Sequence, residues 1–327
     1  MKKIVAFSGD GQQGGVPFFL AVEEWVAMHL PSDHYLMAWH DRRAVICGRH
    51  QHIPSEVDMD YARLHGINVY RRRSGGGSVY ADGQNVMFSY ISPGRDVIAA
   101  FSRYTHLMTD MLRNLGVNAD ISGRNDICVN GCKIAGNAYY GVGSSSIVHG
   151  TMLYDADFDT MSHVLTPSRA KIMSKGVVSV PSRVTTLKAE GLTLSRDEFV
   201  EKAMKILCND DTYVLNDSAI AQVGQLMKRY EDTSGLANER LQKKKTYIDG
   251  VGQIAVELDK NADGTIRKVN LQGDFFSLVD DAEAYLSEAL RGKRPTASDI
   301  RQAIEHRPAD GLIQGLTDEK LIELLSN

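Results

Sequence analysis

The run Arg71-Arg72-Arg73-Ser74-Gly75-Gly76-Gly77-Ser78-Val79-Tyr80 sets three guanidinium groups beside three consecutive glycines. Glycines let backbone approach a ligand closely and turn N–H groups inward, which suits a phosphate or carboxylate. Arginines just ahead of them add charge-assisted, often bidentate contacts to the same anion. A surface turn after a strand, with solvated arginines, reads the same residues as well, and no Gly-Lys-Ser/Thr follows to make a Walker A loop.

A second group joins Gly123-Arg124-Asn125-Asp126-Ile127 to Gly131-Cys132-Lys133-Ile134-Ala135-Gly136-Asn137-Ala138. Lys133 opens an apolar strand among small residues. An ammonium held there neutralises charge developing on a carboxylate and an α-phosphate during adenylate formation. Asp126 can bind Mg²⁺, pair with an arginine, or orient that lysine. The plainer reading makes Lys133 a solvated hairpin lysine and Asp126 a turn residue. His149-Gly150-Thr151 opens another strand with groups that hydrogen-bond a carbonyl or phosphate, or that are merely exposed. Residues 171–184, with Lys175-Gly176-Val177 and Ser182-Arg183-Val184, read as a mobile loop over an anionic intermediate or as a plain connection.

Elements of both kinds must position these groups. Helical spacing of Leu20, Val22, Val26 and Leu30 predicts a helix over 18–30, with Glu23 and Glu24 on its other side and Pro31 ending it. Strands are expected over 35–39, 44–47 and 67–72, the last running into the glycines. Val79-Tyr80 and residues 86–91 read as a hairpin around Asp82-Gly83. A helix over 97–115 stops at Gly116. Strands over 126–129 and 133–140 meet at Asn130-Gly131, a favoured hairpin pair, and a further strand covers 147–154. Helices are expected over 195–207 and 218–230, then a polar linker over 231–245 containing Lys243-Lys244-Lys245. Beyond it lie a hairpin around Asp263-Gly264 and helices over 277–290, 298–306 and 318–325, enough for a small α+β domain.

Composition bounds the function. A chain of 327 residues exceeds one ordinary core, so two domains are the starting expectation. A formal net charge of −4 argues against a general nucleic-acid binder. Apolar stretches are too short for a membrane helix or a signal peptide, so the expected location is cytoplasmic. The four cysteines, Cys47, Cys128, Cys132 and Cys208, form neither a disulfide framework nor a zinc-type spacing.

Taken in order, the arginine–glycine run, Gly-Arg-Asn-Asp-Ile, Gly-Cys-Lys-Ile-Ala-Gly-Asn-Ala and His-Gly-Thr-Met-Leu resemble the signature of lipoate–protein ligases. Leu20-Ala21-Val22-Glu23-Glu24, Val45-Ile46-Cys47-Gly48-Arg49 and Gly273-Asp274-Phe275-Phe276 resemble that family too, so the likeness spans essentially the whole chain. It implies an α+β fold: a biotin/lipoate ligase-like catalytic domain with mixed sheets flanked by helices over 1–245, and a small α+β accessory domain over 246–327. It implies that lipoate and ATP, with Mg²⁺, give lipoyl-AMP and pyrophosphate. The lipoyl group then passes to a lysine of lipoyl domains of 2-oxoacid dehydrogenase complexes or of the glycine cleavage H protein. Lys133 is then the essential lysine. Arg72, Ser74, Gly75, Gly76 and Gly77 line the lipoyl-adenylate pocket, with Tyr80 and Asn85 nearby. Asp126, Ala138, His149, Gly150 and Thr151 complete the adenylate side, Asp126 being the candidate Mg²⁺ ligand.

The sequence departs from the family pattern at Ala81-Asp82, Gln84-Asn85, His50 and Thr185-Thr186, and the interdomain aromatic–Asn–Gly signature is not recognisable over 231–245. Three rival readings stand beside the ligase. One is an octanoyl- or lipoyl-transferase of the same fold that uses a cysteine thioester, here Cys128 or Cys132. The second is a lipoate-binding relative without catalysis, and the third a biotin ligase. For the ligase, Arg42, Arg43 and the lysines after Tyr230 are the expected docking face for an acidic acceptor.

Overall fold

The computed structural model describes residues 1–6, 15–123, 125–166, 184–208, 210–233, 236 and 245–326. The chain begins with β1 (Lys2–Val5), α1 (Gly15–His29), β2 (Tyr35–Trp39), β3 (Ala44–Cys47) and α2 (Met59–Leu64). It continues through β4 (Asn68–Arg71), β5 (Val79–Ala81), β6 (Val86–Pro93) and α3 (Val97–Asn114). Next come β7 (Ala119–Ser122), β8 (Asp126–Val129), β9 (Cys132–Val142), β10 (Ser145–Met152) and α4 (Phe158–Val164). After α5 (Arg196–Leu207), β11 (Thr212–Val214) and α6 (Asp217–Glu231) stand β12 (Lys245–Ile248), β13 (Gly252–Lys260) and β14 (Ile266–Gly273). The helices α7 (Ala282–Leu290), α8 (Ala297–Ile304) and α9 (Asp318–Ser326) close the chain.

The largest sheet has the order β11-β1-β2-β6-β10-β9-β8-β7. β1 runs parallel to both its neighbours, and every other pairing in this sheet is antiparallel. Parallel neighbours need a crossover, and α1 lies between β1 and β2 in the chain. Strand alternation splits β6 cleanly. Val86, Phe88 and Tyr90 enter a core shared with α3 and α5, while Met87 and Ile91 enter one shared with α1 and α6. Local signals bound the helices. Gly116 at φ 85° follows the last turn of α3, the stop the sequence predicts, while Asp96 caps the start of α3 and Ser195 with Glu198 forms a capping box at the start of α5.

Three expectations need correction. Val79–Ala81 and Val86–Pro93 do not pair as a hairpin. β5 joins the small sheet β4-β3-β5, and β6 lies between β2 and β10 in the large one. The Asp82 carboxylate ties the crossing instead, accepting from Gln84 N, Asn85 N and Asp157 N at 2.9–3.0 Å. Glu23 and Glu24 do not face solvent, because α1 is packed on both sides and both carboxylates are fully buried. The helix expected from Ser277 starts at Ala282, since Ser277 bridges to Ile313. The sequence reading also passed over β1, β7, β11, β12, α2 and α4.

β12-β13-β14 form an antiparallel sheet with α7 against β14, around a core running from Val251 to Leu325. Phe276 breaks this separation, because its side chain belongs to the core beneath α3, where it meets Phe101 edge-on at 5.6 Å. The α+β class with mixed sheets and flanking helices is the one expected. No helix among the described residues is long and apolar enough to cross a membrane.

Candidate active site

The β8–β9 hairpin turns through Asn130 (φ 50°) and Gly131 (φ 77°), the left-handed pair that a tight two-residue turn requires. A bulge follows: Ile127 pairs with Ala135 but Cys128 with Lys133, leaving Ile134 as the extra residue in β9. Lys133 and Gly136, three apart, thereby come onto one face. A Cβ on Gly136 would sit 2.6 Å from Lys133 Nζ. The ammonium reaches Asp126 Oδ1 at 2.7 Å, both side chains being largely covered. The Lys133 main-chain oxygen accepts from Thr185 N at 3.0 Å.

The glycine loop between β4 and β5 is built around its own arginines. Arg72 donates from Nε to Ser74 Oγ, from one terminal nitrogen to Ile46 O, and from the other to Gly75 O and Gly77 O, at 2.6–2.8 Å. These four bonds use all but one of the five guanidinium N–H groups. Burial lowers its pKa to about 10. Arg71 donates to the carbonyls of Gly48, Arg49 and Gln51, and Arg73 to Glu24 at 2.9 Å while facing the Tyr140 ring. The triplet expected to hold an anion thus chiefly holds the loop. Gly76 takes φ 85°, and its N–H donates to Phe275 O at 3.2 Å.

Behind the loop lies a buried relay. Ser74 Oγ meets His149 Nε2 at 2.7 Å, and His149 Nδ1 donates to Glu23 at 2.8 Å. The same carboxylate accepts from Ser89 Oγ at 2.5 Å and the Tyr140 hydroxyl at 3.1 Å. Glu24 accepts from Arg73, Arg229 and the Tyr230 hydroxyl. Two adjacent carboxylates in a largely apolar helix were the available signal for this buried network, and the amphipathic reading missed it.

One cavity of about 690 Å³ collects these parts. Lys133, Asp126, Arg72, Gly76 and Gly77 line it, together with Tyr80, Ala138, His149, Gly150 and Thr151. Ser74, Gly75 and Asn85 are not in the wall. Ser74 holds Arg72 and His149, Gly75 packs on Phe275, and Asn85 donates to Tyr80 O at 3.2 Å. Trp39, Ile46, Met87 and Leu20 supply an apolar part of the wall. Tyr247 on β12, and Gly250, Gly252, Gln314 and Gly315 beyond it, also contribute, and nothing in their spacing marks them. None of the four cysteines lines the cavity, and burial pushes the Cys47 thiol up to about 11. Arg42 and Arg43 are exposed, whereas Lys245 donates to Ser55 Oγ. Arg124, residues 171–183 and most of the expected linker, including Lys243 and Lys244, lie outside the described residues.

Residues 16–207 match the family described as Lipoyl protein ligase A/B catalytic domain, and residues 240–325 match Bacterial lipoate protein ligase C-terminus. The chain is 32% identical over 321 residues to lipoate-protein ligase LplJ of Bacillus subtilis (strain 168), covering 94% of this chain and 95% of the relative. A solved structure of P. falciparum LipL1 with lipoate has a TM-score of 0.76 at 16% identity, covering 99% of this chain and 98% of that one. A lipoate-protein ligase A bound with ATP has a TM-score of 0.61 at 22% identity, covering 72% and 98% respectively. These two likenesses establish the fold.

Proposed function

Since the chain belongs to the lipoate–protein ligase family, we propose that it activates free lipoate with ATP and passes the lipoyl group to an acceptor lysine. In the first step a lipoate carboxylate oxygen attacks the α-phosphorus of ATP. The bond to the pyrophosphate oxygen breaks, giving lipoyl-AMP and pyrophosphate. In the second, the neutral amine of an acceptor lysine attacks the acyl carbon. AMP leaves with the anhydride electrons, an amide forms, and the amine proton is released.

The observation that carries this reading is the Lys133–Asp126 pair sharing one cavity with Gly76 and Gly77. Both reacting groups are anions, so they repel until fixed positive charge and N–H donors face them. Lys133 supplies that charge, and Asp126 at 2.7 Å aims it along Gly136. The apolar wall at Trp39, Ile46 and Met87 suits an acyl chain and keeps water from the anhydride. Among the described residues no group of three metal-ligating side chains is assembled. Mg²⁺ typically binds one or two carboxylates plus substrate phosphates. Asp126, whose Oδ1 pairs with Lys133, would offer the ion a carboxylate oxygen, and Mg²⁺ bound there would neutralise phosphate charge. Lipoyl domains of 2-oxoacid dehydrogenases or the H protein are the acceptors of this scheme, with residues 1–245 as its catalytic unit and 246–327 as its accessory one.

Pyrophosphate release with lipoate and ATP tests it. Lys133→Ala is expected to lower the rate about 10²–10³-fold, the scale of losing one oriented charge-stabilising group, with an unchanged melting temperature. Wild-type acyl transfer without ATP, lost in Cys132→Ala, would instead establish the thioester route.

A further inference from the structure

β9 carries Lys133 past the support of the large sheet. Pairing with β10 ends where Met152 meets Ala135, so Cys132 and Lys133 lie on a hairpin tip paired with β8. A two-stranded tip is marginally stable by itself in water. Val184 and Thr185 close its open side: Val184 bridges Lys133 in parallel, and Thr185 N donates to the Lys133 carbonyl at 3.0 Å. A turn over 187–191 follows, and it is rooted in the main core. Leu187 N donates to Leu153 O at 2.9 Å, Lys188 N donates to Tyr154 O at 3.0 Å, and the Leu187 side chain is fully buried. Glu190 rides on that turn, its N–H donating to Thr186 O at 3.0 Å. One oxygen of its carboxylate accepts from Thr185 Oγ1 at 2.8 Å, and the other accepts from Asn130 Nδ2 at 2.7 Å. Asn130 is the one non-glycine residue at positive φ among the described residues, and it makes the turn of the Lys133 hairpin.

We infer that Glu190 is a positioning residue for adenylation, clamping the hairpin turn and the Thr185 donor to one fixed point so that Lys133 works from a fixed main chain. The inference rests on the adenylating reading above, in which Lys133 supplies the charge. Asp126 and Gly136 direct the far end of the lysine. Its stem is four flexible carbons, however, so the ammonium also follows the backbone that carries it. Both grips end on one carboxylate, so removing it frees Asn130 and Thr185 together. The ammonium then spends less time facing the anions. Glu190 is not among the residues lining the cavity, so it acts through Lys133 and touches no substrate.

Amide hydrogen exchange in the full chain reads the clamp without any chemistry. In Glu190→Ala the Thr185 amide should exchange about tenfold faster, while the Leu187 and Lys188 amides keep their wild-type rates. Pyrophosphate release reads the consequence. Glu190→Ala should lower kcat about tenfold, short of the roughly 10²-fold that a 1 Å misplacement can cost, with KM for lipoate unchanged and a near-native melting temperature. Glu190→Gln can accept from Asn130 and donate to the Thr185 hydroxyl, so it should recover most of the rate. Added to Lys133→Ala, Glu190→Ala should cost nothing further, because the two residues act as one unit. Wild-type kcat in Glu190→Ala, an undiminished loss in the Lys133→Ala background, or unchanged Thr185 exchange refutes the inference. Wild-type protein that releases no pyrophosphate, while Glu190→Ala still frees the Thr185 amide, keeps the clamp and refutes the ligase reading.

Discussion

Lys133 is held by what its neighbours lack as much as by what they carry. Its chain lies over Gly136, and across the β9–β10 register Gly150 gives up its side chain to Asn137 Oδ1. Both glycines are crowded, yet they should fail differently. Gly136→Ala meets the far end of a flexible lysine, which can swing aside. We expect near-native stability in urea unfolding and a large fall in adenylation rate. Gly150→Ala drives a Cβ into a buried amide clamped to the Asn125 carbonyl at 2.7 Å. It should lose about 1–3 kcal/mol in the same measurement, the usual range for overpacking. Equal stability losses in the two variants would contradict the placement of Lys133.

At the scale of elements, the last residue of β14 and the segment after it work as a wedge. Gly273 N donates to His50 O at 2.8 Å, Phe275 O accepts from Gly76 N, and Phe276 enters the core beneath α3. Strand, loop and helix from distant parts of the chain thus meet at the glycine loop. Phe276→Ala removes a ring that is 3% exposed. The loss should be about 3–5 kcal/mol, as for other buried phenylalanines. Limited proteolysis should then release the part after β12 earlier than in the wild type. A variant as protease-resistant as the wild type would show that the wedge does not hold the two cores together.

Across the whole molecule, the seam between the two cores carries a titratable group. His50 stacks on Phe275 at 4.7 Å, and burial, with the Arg49 charge adding, lowers its pKa to about 4. An unfolded histidine titrates near 6.5. Between those values the unfolded chain binds the proton and the folded chain does not. Stability from this group is therefore complete above about pH 6.5 and is lost as pH falls toward 4. Urea midpoints recorded from pH 7 to 4 should decline in the wild type, and less steeply in His50→Asn. Parallel curves for the two proteins would place the pH sensitivity elsewhere.

The amino-acid sequence by itself determined what is local. The Asn130-Gly131 turn, the capping box at Ser195, the stop at Gly116 and the glycine run all act within a few residues, so their chemistry is legible without coordinates. The ordered set of motifs was legible as well, and with it the family. Tertiary structure alone decided which partners distant groups find. Glu23 and Glu24 look like a solvated helix face until β10, the glycine loop and α6 close over them. Arg71, Arg72 and Arg73 look like free anion ligands until the carbonyls of the folded loop and the Glu24 carboxylate take up their donors. Val79–Ala81 and Val86–Pro93 alternate like hairpin partners, yet each gains more by joining a different sheet. Gln314 reaches the cavity only through the docking of a separate core. A buried polar group is satisfied by whatever the fold brings within about 3 Å, and that proximity is not written in local spacing.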